Sequence, residues 1–136
     1  MHNLEISMPA LLASLLCLVS VPLAAQEPKV TPVMTKDLAD IPGKEVVAVT
    51  VEYAPGGADI VHRHNADAIV YVLEGTVIEQ VKGGKPDTLT VGETFFEGPE
   101  DIHIVGRNAS NTQPAKILAI LVKKKGTPPL VPVEQE

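Results

Sequence analysis

After residue 26 the chain alternates between short apolar, β-branched runs and turns that contain glycine, proline or aspartate. Turn signals at intervals of about 8–12 residues are typical of strands in a sandwich or a closed barrel. No stretch of helical length has a helical period, and Asp37–Ile41 is the best place for a single helical turn. We therefore predict an all-β fold, with strands at Glu45–Tyr53, Ile60–His64, Ala68–Leu73, Thr76–Val81, Thr88–Val91, Thr94–Glu97, Ile102–Arg107 and Ala115–Val122.

The first 25 residues predict a secretory signal peptide. The segment 8–21 is apolar and uncharged, and it is shorter than the roughly 20 residues of a membrane span. Small residues end at Ala25 and polar residues begin at Gln26, so we expect cleavage after Ala25 and a periplasmic or secreted protein. The alternative is an uncleaved anchor formed by residues 8–21, because no Lys or Arg precedes them.

The remaining chain has the length of one domain. We expect an N-terminal arm at residues 26–43, a barrel at residues 44–124 and a C-terminal tail at residues 125–136. Prolines in the arm and the tail exclude both from central strands. Such ends commonly lie over a neighbouring sheet or exchange with a second subunit, and a homodimer is one possible assembly.

Composition narrows the classes of function. Cleavage removes Cys17, the only cysteine, so the mature domain has neither a disulfide nor a thiolate ligand. The full chain has a formal charge of −6, and Glu5 is the only charged side chain within residues 1–25, so the mature charge is about −5. An acidic domain without a basic run gives no support for nucleic-acid binding. After cleavage no segment remains that would span a membrane stably.

The candidate chemistry lies in three histidines. His62 and His64 are two residues apart on a predicted strand, so their side chains share one face. Two imidazoles placed in this way can converge on one metal ion. His103 comes from a later strand, and a closed barrel can bring it to the same interior. The spacing therefore favours a metal site.

Two ordered motifs resemble those of the cupin superfamily. The first is Gly56, His62 and His64 followed by the segment 71–75, Tyr-Val-Leu-Glu-Gly. The second is the segment 92–103, Gly-Glu-Thr-Phe-Phe-Glu-Gly-Pro-Glu-Asp-Ile-His, with Asn108 beyond it. The resemblance implies a jelly-roll β-barrel like those of small bacterial cupins. It also implies that the three histidines bind one divalent transition metal: Fe, Mn, Zn, Ni or Cu.

The first motif departs from the family at its carboxylate ligand. The positions at which the family usually has glutamate are Ala68 and Ile69, neither of which binds metal. Glu97, at a position usually apolar in the family, is costly to bury without a partner. We therefore expect Glu97 to be an optional fourth ligand or a general base. Of Glu79 and Gln80 one must face inward, and Gln80 is a further catalytic candidate that can hydrogen-bond a substrate or a metal-bound water.

The expected function is that of an exported metalloenzyme acting on a small molecule. One hypothesis is a dioxygenase-like oxidoreductase, and another is metal-assisted isomerisation, decarboxylation or elimination. A non-catalytic module that binds or senses a small ligand or a metal is the alternative. A third hypothesis is a structural barrel with a vestigial site. Fold alone does not choose a reaction.

Overall fold

The computed structural model describes residues 26–134, and the predicted signal peptide lies outside these residues. Within them the chain has ten strands and no helix, which confirms the all-β prediction. The strands are β1 (Lys29–Asp37), β2 (Lys44–Tyr53), β3 (His62–Arg63), β4 (Ala66–Glu74), β5 (Thr76–Val81), β6 (Asp87–Thr90), β7 (Thr94–Glu97), β8 (His103–Asn108), β9 (Ala115–Lys124) and β10 (Val131–Pro132).

The strands form two five-stranded sheets, with orders β1-β2-β9-β4-β7 and β10-β3-β8-β5-β6. All pairings are antiparallel. Along β4 and β9 every second residue is buried, as expected for strands with one face on a core. This arrangement is the two-sheet jelly roll that the resemblance implies.

The core lies between the inner faces of the two sheets. Burying a valine, leucine or isoleucine side chain stabilises a fold by about 1.5–3 kcal/mol. The buried cluster draws such residues from both sheets, with one tyrosine and one alanine; its members are Val51, Tyr53, Val70, Val72, Val77, Leu89, Ala115 and Ile117. A second, smaller cluster of Ala66, Ala68, Ala119 and Leu121 lies on the first sheet. Its small alanines leave space that larger side chains of the neighbouring strands can enter.

The strand predictions are correct to within two residues at each end. The shortest of these strands is the one predicted at Ile60–His64, whose ladder contains only His62 and Arg63. The expected helical turn at Asp37–Ile41 is wrong: Ile41 N donates to Leu38 O at 3.2 Å, and Lys44 N donates to Ile41 O at 3.1 Å, which makes two successive turns.

Both ends pair with sheet edges. The arm contains β1, which pairs with β2 through an irregularity between Pro32 and Met34, where proline interrupts the ladder. Every β1 residue is exposed, so the arm is an edge strand outside the core. In the tail, β10 pairs with β3. Prolines at both places fit the rule that proline is tolerated at edges.

A buried ion pair fixes the start of the tail. Lys123 Nζ lies 2.5 Å from Glu45 Oε1 and donates to Thr127 O at 2.6 Å. The Gly126 N–H donates to the same Glu45 oxygen at 3.1 Å. These contacts set the direction in which the chain leaves β9 toward β3.

The outer face of the first sheet carries exposed apolar side chains on β4 and β7, including Ile69, Tyr71 and Phe96.

No helix among residues 26–134 is long and apolar enough to cross a membrane.

Candidate metal centre

The structure brings His62, His64 and His103 together on the inner face of the second sheet. His62 on β3 is directly opposite His103 on β8 in the ladder. His64 follows β3 and precedes Asn65, which has a positive φ of 49°. One ligand atom from each histidine lies within 4.8 Å of the others. The period-2 argument for His62 and His64 therefore gives the correct local geometry.

Three imidazole nitrogens face one another. His62 Nε2 lies 3.2 Å from His64 Nε2 and 3.3 Å from His103 Nδ1. The second nitrogen of two rings points to a carbonyl oxygen: His62 Nδ1 lies 2.7 Å from Ile60 O, and His64 Nδ1 lies 2.6 Å from Pro129 O. His103 Nε2 lies 2.6 Å from Glu79 Oε2, a close contact of two buried atoms without the alignment of a hydrogen bond. A neutral histidine whose N–H is held in this way presents its other lone pair to a metal.

Glu97 completes the cluster from β7. Its Oε1 lies 3.3 Å from His103 Nδ1, and its Oε2 lies 3.5 Å from His64 Nε2. The side chain is 2% exposed, and Oε2 has no hydrogen-bond partner among the described residues. A buried, unsatisfied carboxylate oxygen beside three imidazole lone pairs is the donor set expected of a transition-metal site. The residues present therefore fit a metal ion.

Glu97 lies directly opposite Ala68 in the β4–β7 ladder. Ala68 is 1% exposed, so this position faces the interior. Ala68 is also a position at which the family usually has its glutamate. The carboxylate therefore enters the same interior from the neighbouring strand, and the small alanine leaves room for it. This arrangement places the Glu97 carboxylate beside the three histidines that form the candidate metal group.

Burial and mutual contact shift the pKa values of the cluster in opposite directions. Burial lowers the pKa of His62 to about 4. Burial also lowers the pKa of His64 and His103, but the neighbouring Glu97 and Glu79 carboxylates outweigh it, so both pKa values rise. For Glu97 burial acts to raise the pKa, but the contact with His64 and the charge of His103 bring it below its usual range.

Glu79, rather than Gln80, faces the cluster from β5. Glu79 is fully buried, and burial raises its pKa despite the contact with His103. The structure places Gln80, the catalytic candidate of the sequence, outside this cluster, because its Nε2 donates to Gly84 O at 2.9 Å, away from the histidines. The period-2 rule requires one of the two residues to face inward, and the register of β5 with β8 selects Glu79.

A cavity of about 220 Å³ adjoins the cluster. Its walls are mostly aliphatic, and Val30, Pro129 and Leu130 reach it from the arm and the tail. The family resemblance from Gly56 to Asn108 contains none of these three residues. A larger, open depression of about 460 Å³ lies elsewhere, around Lys29, Glu52 and Lys116. It has none of the cluster residues, so we assign no chemistry to it.

Two further polar residues line the cavity and were not predicted as site residues. The Tyr53 hydroxyl donates to Asp59 Oδ2 at 2.7 Å. Burial raises the pKa of both groups. Asp59 follows a Gly-Gly turn, where an aspartate is typically a turn former, and the sequence gives no signal that it faces the interior.

Asn108 of the second motif forms hydrogen bonds to backbone groups and not to the histidine cluster. Its Nδ2 donates to Gln113 O at 2.7 Å and to Ala54 O at 3.2 Å, and its Oδ1 accepts from Ser110 N at 2.9 Å. These bonds shape the loop between β8 and β9.

Similar structures share this fold. An uncharacterised protein with a double-stranded β-helix domain from Klebsiella pneumoniae has a TM-score of 0.63 at 17% identity, over 80% of this chain and 86% of its own. The DMSP lyase DddQ from Ruegeria pomeroyi has a TM-score of 0.59 at 24% identity, over 67% of this chain. A recombinant oxalate oxidase in complex with glycolate has a TM-score of 0.58 at 25% identity, over 77% of this chain.

The chain spans 45% of the lyase chain and 54% of the oxidase chain. No curated protein matches this sequence. Residues 49–121, more than half of the chain, match the family described as the Cupin domain. The chain belongs to the cupin domain family.

Proposed function

We propose that this protein is a metal-dependent cupin enzyme that acts on a small molecule. One divalent transition metal is held by His62, His64, His103 and Glu97. The observation that carries the proposal is the convergence of three imidazole nitrogens and one buried carboxylate, with Nδ1 of His62 and of His64 turned to a carbonyl oxygen and His103 Nε2 close to the Glu79 carboxylate.

The protein's own residues prepare the site for chemistry. The carbonyls of Ile60 and Pro129 and the Glu79 carboxylate fix the ring orientations, so little reorganisation is needed when the ion binds. The mostly aliphatic walls of the cavity lower the local dielectric, which strengthens electrostatic interactions beside them. The bound metal supplies a Lewis acid and, for a redox-active ion, a centre for oxygen chemistry. Glu97 is assigned as a ligand, because both of its oxygens face the histidines.

The reaction class has two candidates. One is a dioxygenase-like oxidation, and the other is a metal-assisted lyase or isomerase reaction. The similar structures named above include a lyase and an oxidase, and each candidate has its counterpart there. A site without the family glutamate would favour a non-catalytic binding or sensor module, but the Glu97 carboxylate opposite Ala68 weakens that argument.

Export remains a proposal from the sequence. In an oxidising compartment Fe(II) is readily lost, so Zn, Mn, Ni and Cu stay candidates. The mass and the N-terminal sequence of the protein recovered from the periplasm or the medium test cleavage after Ala25. An intact Met1 in the membrane fraction would instead support an anchor.

Homodimerisation is likewise a prediction, which sedimentation velocity of the mature protein tests.

The decisive experiment for the enzyme proposal combines metal analysis with turnover. Mature protein is reconstituted separately with Fe(II), Mn(II), Zn(II), Ni(II) and Cu(II), and oxygen uptake and product formation are followed with small enols, catechols, thiols and hydroxy acids. We expect stoichiometric metal and turnover with at least one ion. Stoichiometric metal without turnover would indicate the binding module, and absence of metal under every condition would overturn both.

Glu97→Gln separates the two roles of this residue, with Glu100→Gln in the exposed acidic turn as the matched control. A ligand role predicts that Glu97→Gln loses metal while Glu100→Gln retains it. Unchanged metal content with lost turnover would instead assign Glu97 as a base.

A further inference from the structure

We propose that Asp59, positioned by Tyr53, is the hydrogen-bond acceptor for the substrate in the cavity. The site would then select small, neutral or singly charged molecules that carry a hydroxyl group next to their metal-binding oxygen. This inference rests on the proposed metal-dependent function. It assigns a second anchoring point that neither the sequence motifs nor the histidine cluster provides.

The first support is the fixed geometry of the Asp59 carboxyl. The buried Tyr53 hydroxyl donates to Oδ2 at 2.7 Å. The Asp59 main-chain N–H donates to Gly106 O at 2.8 Å, which ties its backbone to β8. Tyr53 occupies one acceptor position of a carboxylate that has about four, so others remain for a ligand. Asp59 and Tyr53 both line the cavity.

The second support is the position of Asp59 beside the metal centre. A methyl group at Gly106 would lie 2.6 Å from Asp59 Oδ2 and 2.8 Å from His103 Cε1. The aspartate and the histidine therefore approach each other closely across this glycine. A substrate oxygen at the histidines and a hydroxyl on the adjacent carbon can reach both groups within one small molecule.

The third support is charge. Asp59 and Glu97 line the cavity, and the buried Glu79 lies behind His103. Among the described residues that line the cavity none is lysine or arginine. A divalent ion is therefore already balanced by the surrounding carboxylates, and a dianionic ligand would add uncompensated charge at low dielectric. The charges around the cavity therefore favour a ligand with a hydroxyl donor over a ligand with a second carboxylate.

The fourth support is size. A cavity of about 220 Å³ has room for roughly seven water molecules or one compound of similar volume. This is below the range of about 300–1,000 Å³ that is usual for drug-sized ligands. Hydroxy acids of three or four carbons fit this space.

The test uses zinc-loaded mature protein and isothermal titration with lactate, propionate and malonate. Lactate and propionate differ only by the hydroxyl, and malonate carries a second carboxylate. We expect lactate to bind about tenfold or more tightly than propionate, in line with a hydrogen bond to a charged acceptor, and malonate to bind most weakly. Asp59→Leu should abolish the lactate preference while propionate affinity and zinc content stay within about twofold.

Tyr53→Phe is the second variant, because it retains the carboxylate but removes its positioning bond. It should reduce the preference for lactate over propionate several-fold with zinc content unchanged. If Asp59→Leu fails to fold, this variant tests the role of Asp59 alone. Equal binding of lactate and propionate by the wild type, absence of lactate binding, or a preference that survives the variants would overturn the role of Asp59. Failure of the wild type to bind zinc, together with the other four ions, would overturn the proposed function instead.

Discussion

The Ala68–Glu97 pair is the most informative contact at the scale of single residues. The two residues face each other across β4 and β7, and both point to the interior. Side chains directly opposite on antiparallel strands have Cβ atoms about 4.5–5.5 Å apart. A carboxylate on either β4 or β7 at this pair of positions can therefore reach the same histidine cluster. The pair therefore explains why this chain has no glutamate at the family position, Ala68, and still has a carboxylate in the cluster.

Exchange of the two residues tests this explanation. Glu97→Ala should weaken metal binding by at least about tenfold, since loss of even a residue that only orients a ligand costs about 10–100-fold. Ala68→Glu in the Glu97→Ala background should restore most of the affinity, measured by competition with a chromogenic chelator. A double variant as weak as Glu97→Ala would show that the two positions are not equivalent.

The pKa shifts of the histidines predict the pH dependence of metal binding. His64 and His103 have pKa values above 6.5 in the metal-free protein, and protons compete with metal at both rings. His62 stays neutral until about pH 4. Metal affinity should therefore fall as the pH is lowered from 8 through the raised pKa values, chiefly because of His64 and His103.

The same pKa shifts make the stability of the metal-free fold change with pH in the direction opposite to the metal affinity. A histidine whose folded pKa is raised stabilises the fold fully below its unfolded pKa, and this contribution is lost as the pH rises through the folded pKa. The increase in Tm caused by zinc should therefore be larger at pH 8 than at pH 5.5, as measured by differential scanning calorimetry. An equal increase at both pH values would contradict the assigned ligand set.

Gly106 is a residue at which no side chain fits. A Cβ there would meet Asp59 Oδ2 at 2.6 Å and His103 Cε1 at 2.8 Å, whereas at Gly98 the nearest atom is Asp101 Oδ2 at 3.4 Å. Gly106→Ala should lower the free energy of unfolding by about 1–3 kcal/mol through overpacking. Gly98→Ala is the control, with little expected change. Urea unfolding of both variants checks this, and equal midpoints would contradict the packing.

At the scale of elements, the C-terminal tail is part of the candidate metal centre. Val131 and Pro132 pair with Arg63 and His62, and Val133 N donates to Val61 O at 3.0 Å. Pro129 O then accepts the His64 N–H at 2.6 Å. The tail lies beyond residues 49–121, so the family match alone does not contain the complete site.

Removal of the tail tests its role. A chain ending at Lys125 should bind metal about 10–100-fold more weakly than the full mature protein, because His64 loses the partner that orients it. A chain ending at Val133 is the control and should bind normally. Metal affinity by chelator competition, with Tm recorded for both chains, measures the effect. Unchanged affinity without the tail would exclude a role for Pro129.

Local pattern predicts the strands and the histidines well because both follow from period-2 alternation and fixed spacing. The contacts that complete the site are long-range. The register of β5 with β8 selects Glu79 over Gln80, and the pairing of β10 with β3 brings Pro129 to His64. Asp59 has the sequence environment of a turn residue. None of these three features leaves a local signal, so only the folded chain reveals them.

At the scale of the whole molecule, a small and mostly aliphatic cavity lies between the two sheets, and its polar groups are the histidine–Glu97 cluster and the Tyr53–Asp59 pair. The arm and the tail, which the sequence predicts to lie outside the barrel, supply Val30, Pro129 and Leu130 to the cavity. The cavity is therefore lined both by residues of the matched family segment and by residues of the arm and the tail.

The central claim is that one metal ion is held by His62, His64, His103 and Glu97. Inductively coupled plasma mass spectrometry of mature protein, reconstituted with each candidate ion and then gel-filtered, tests it most directly. We predict about one ion per chain for the wild type and less than about a tenth of that for His62→Ala and His103→Ala, with Gln80→Ala as the control that keeps its metal. Metal-free wild type, or histidine variants that retain the ion, would contradict the account.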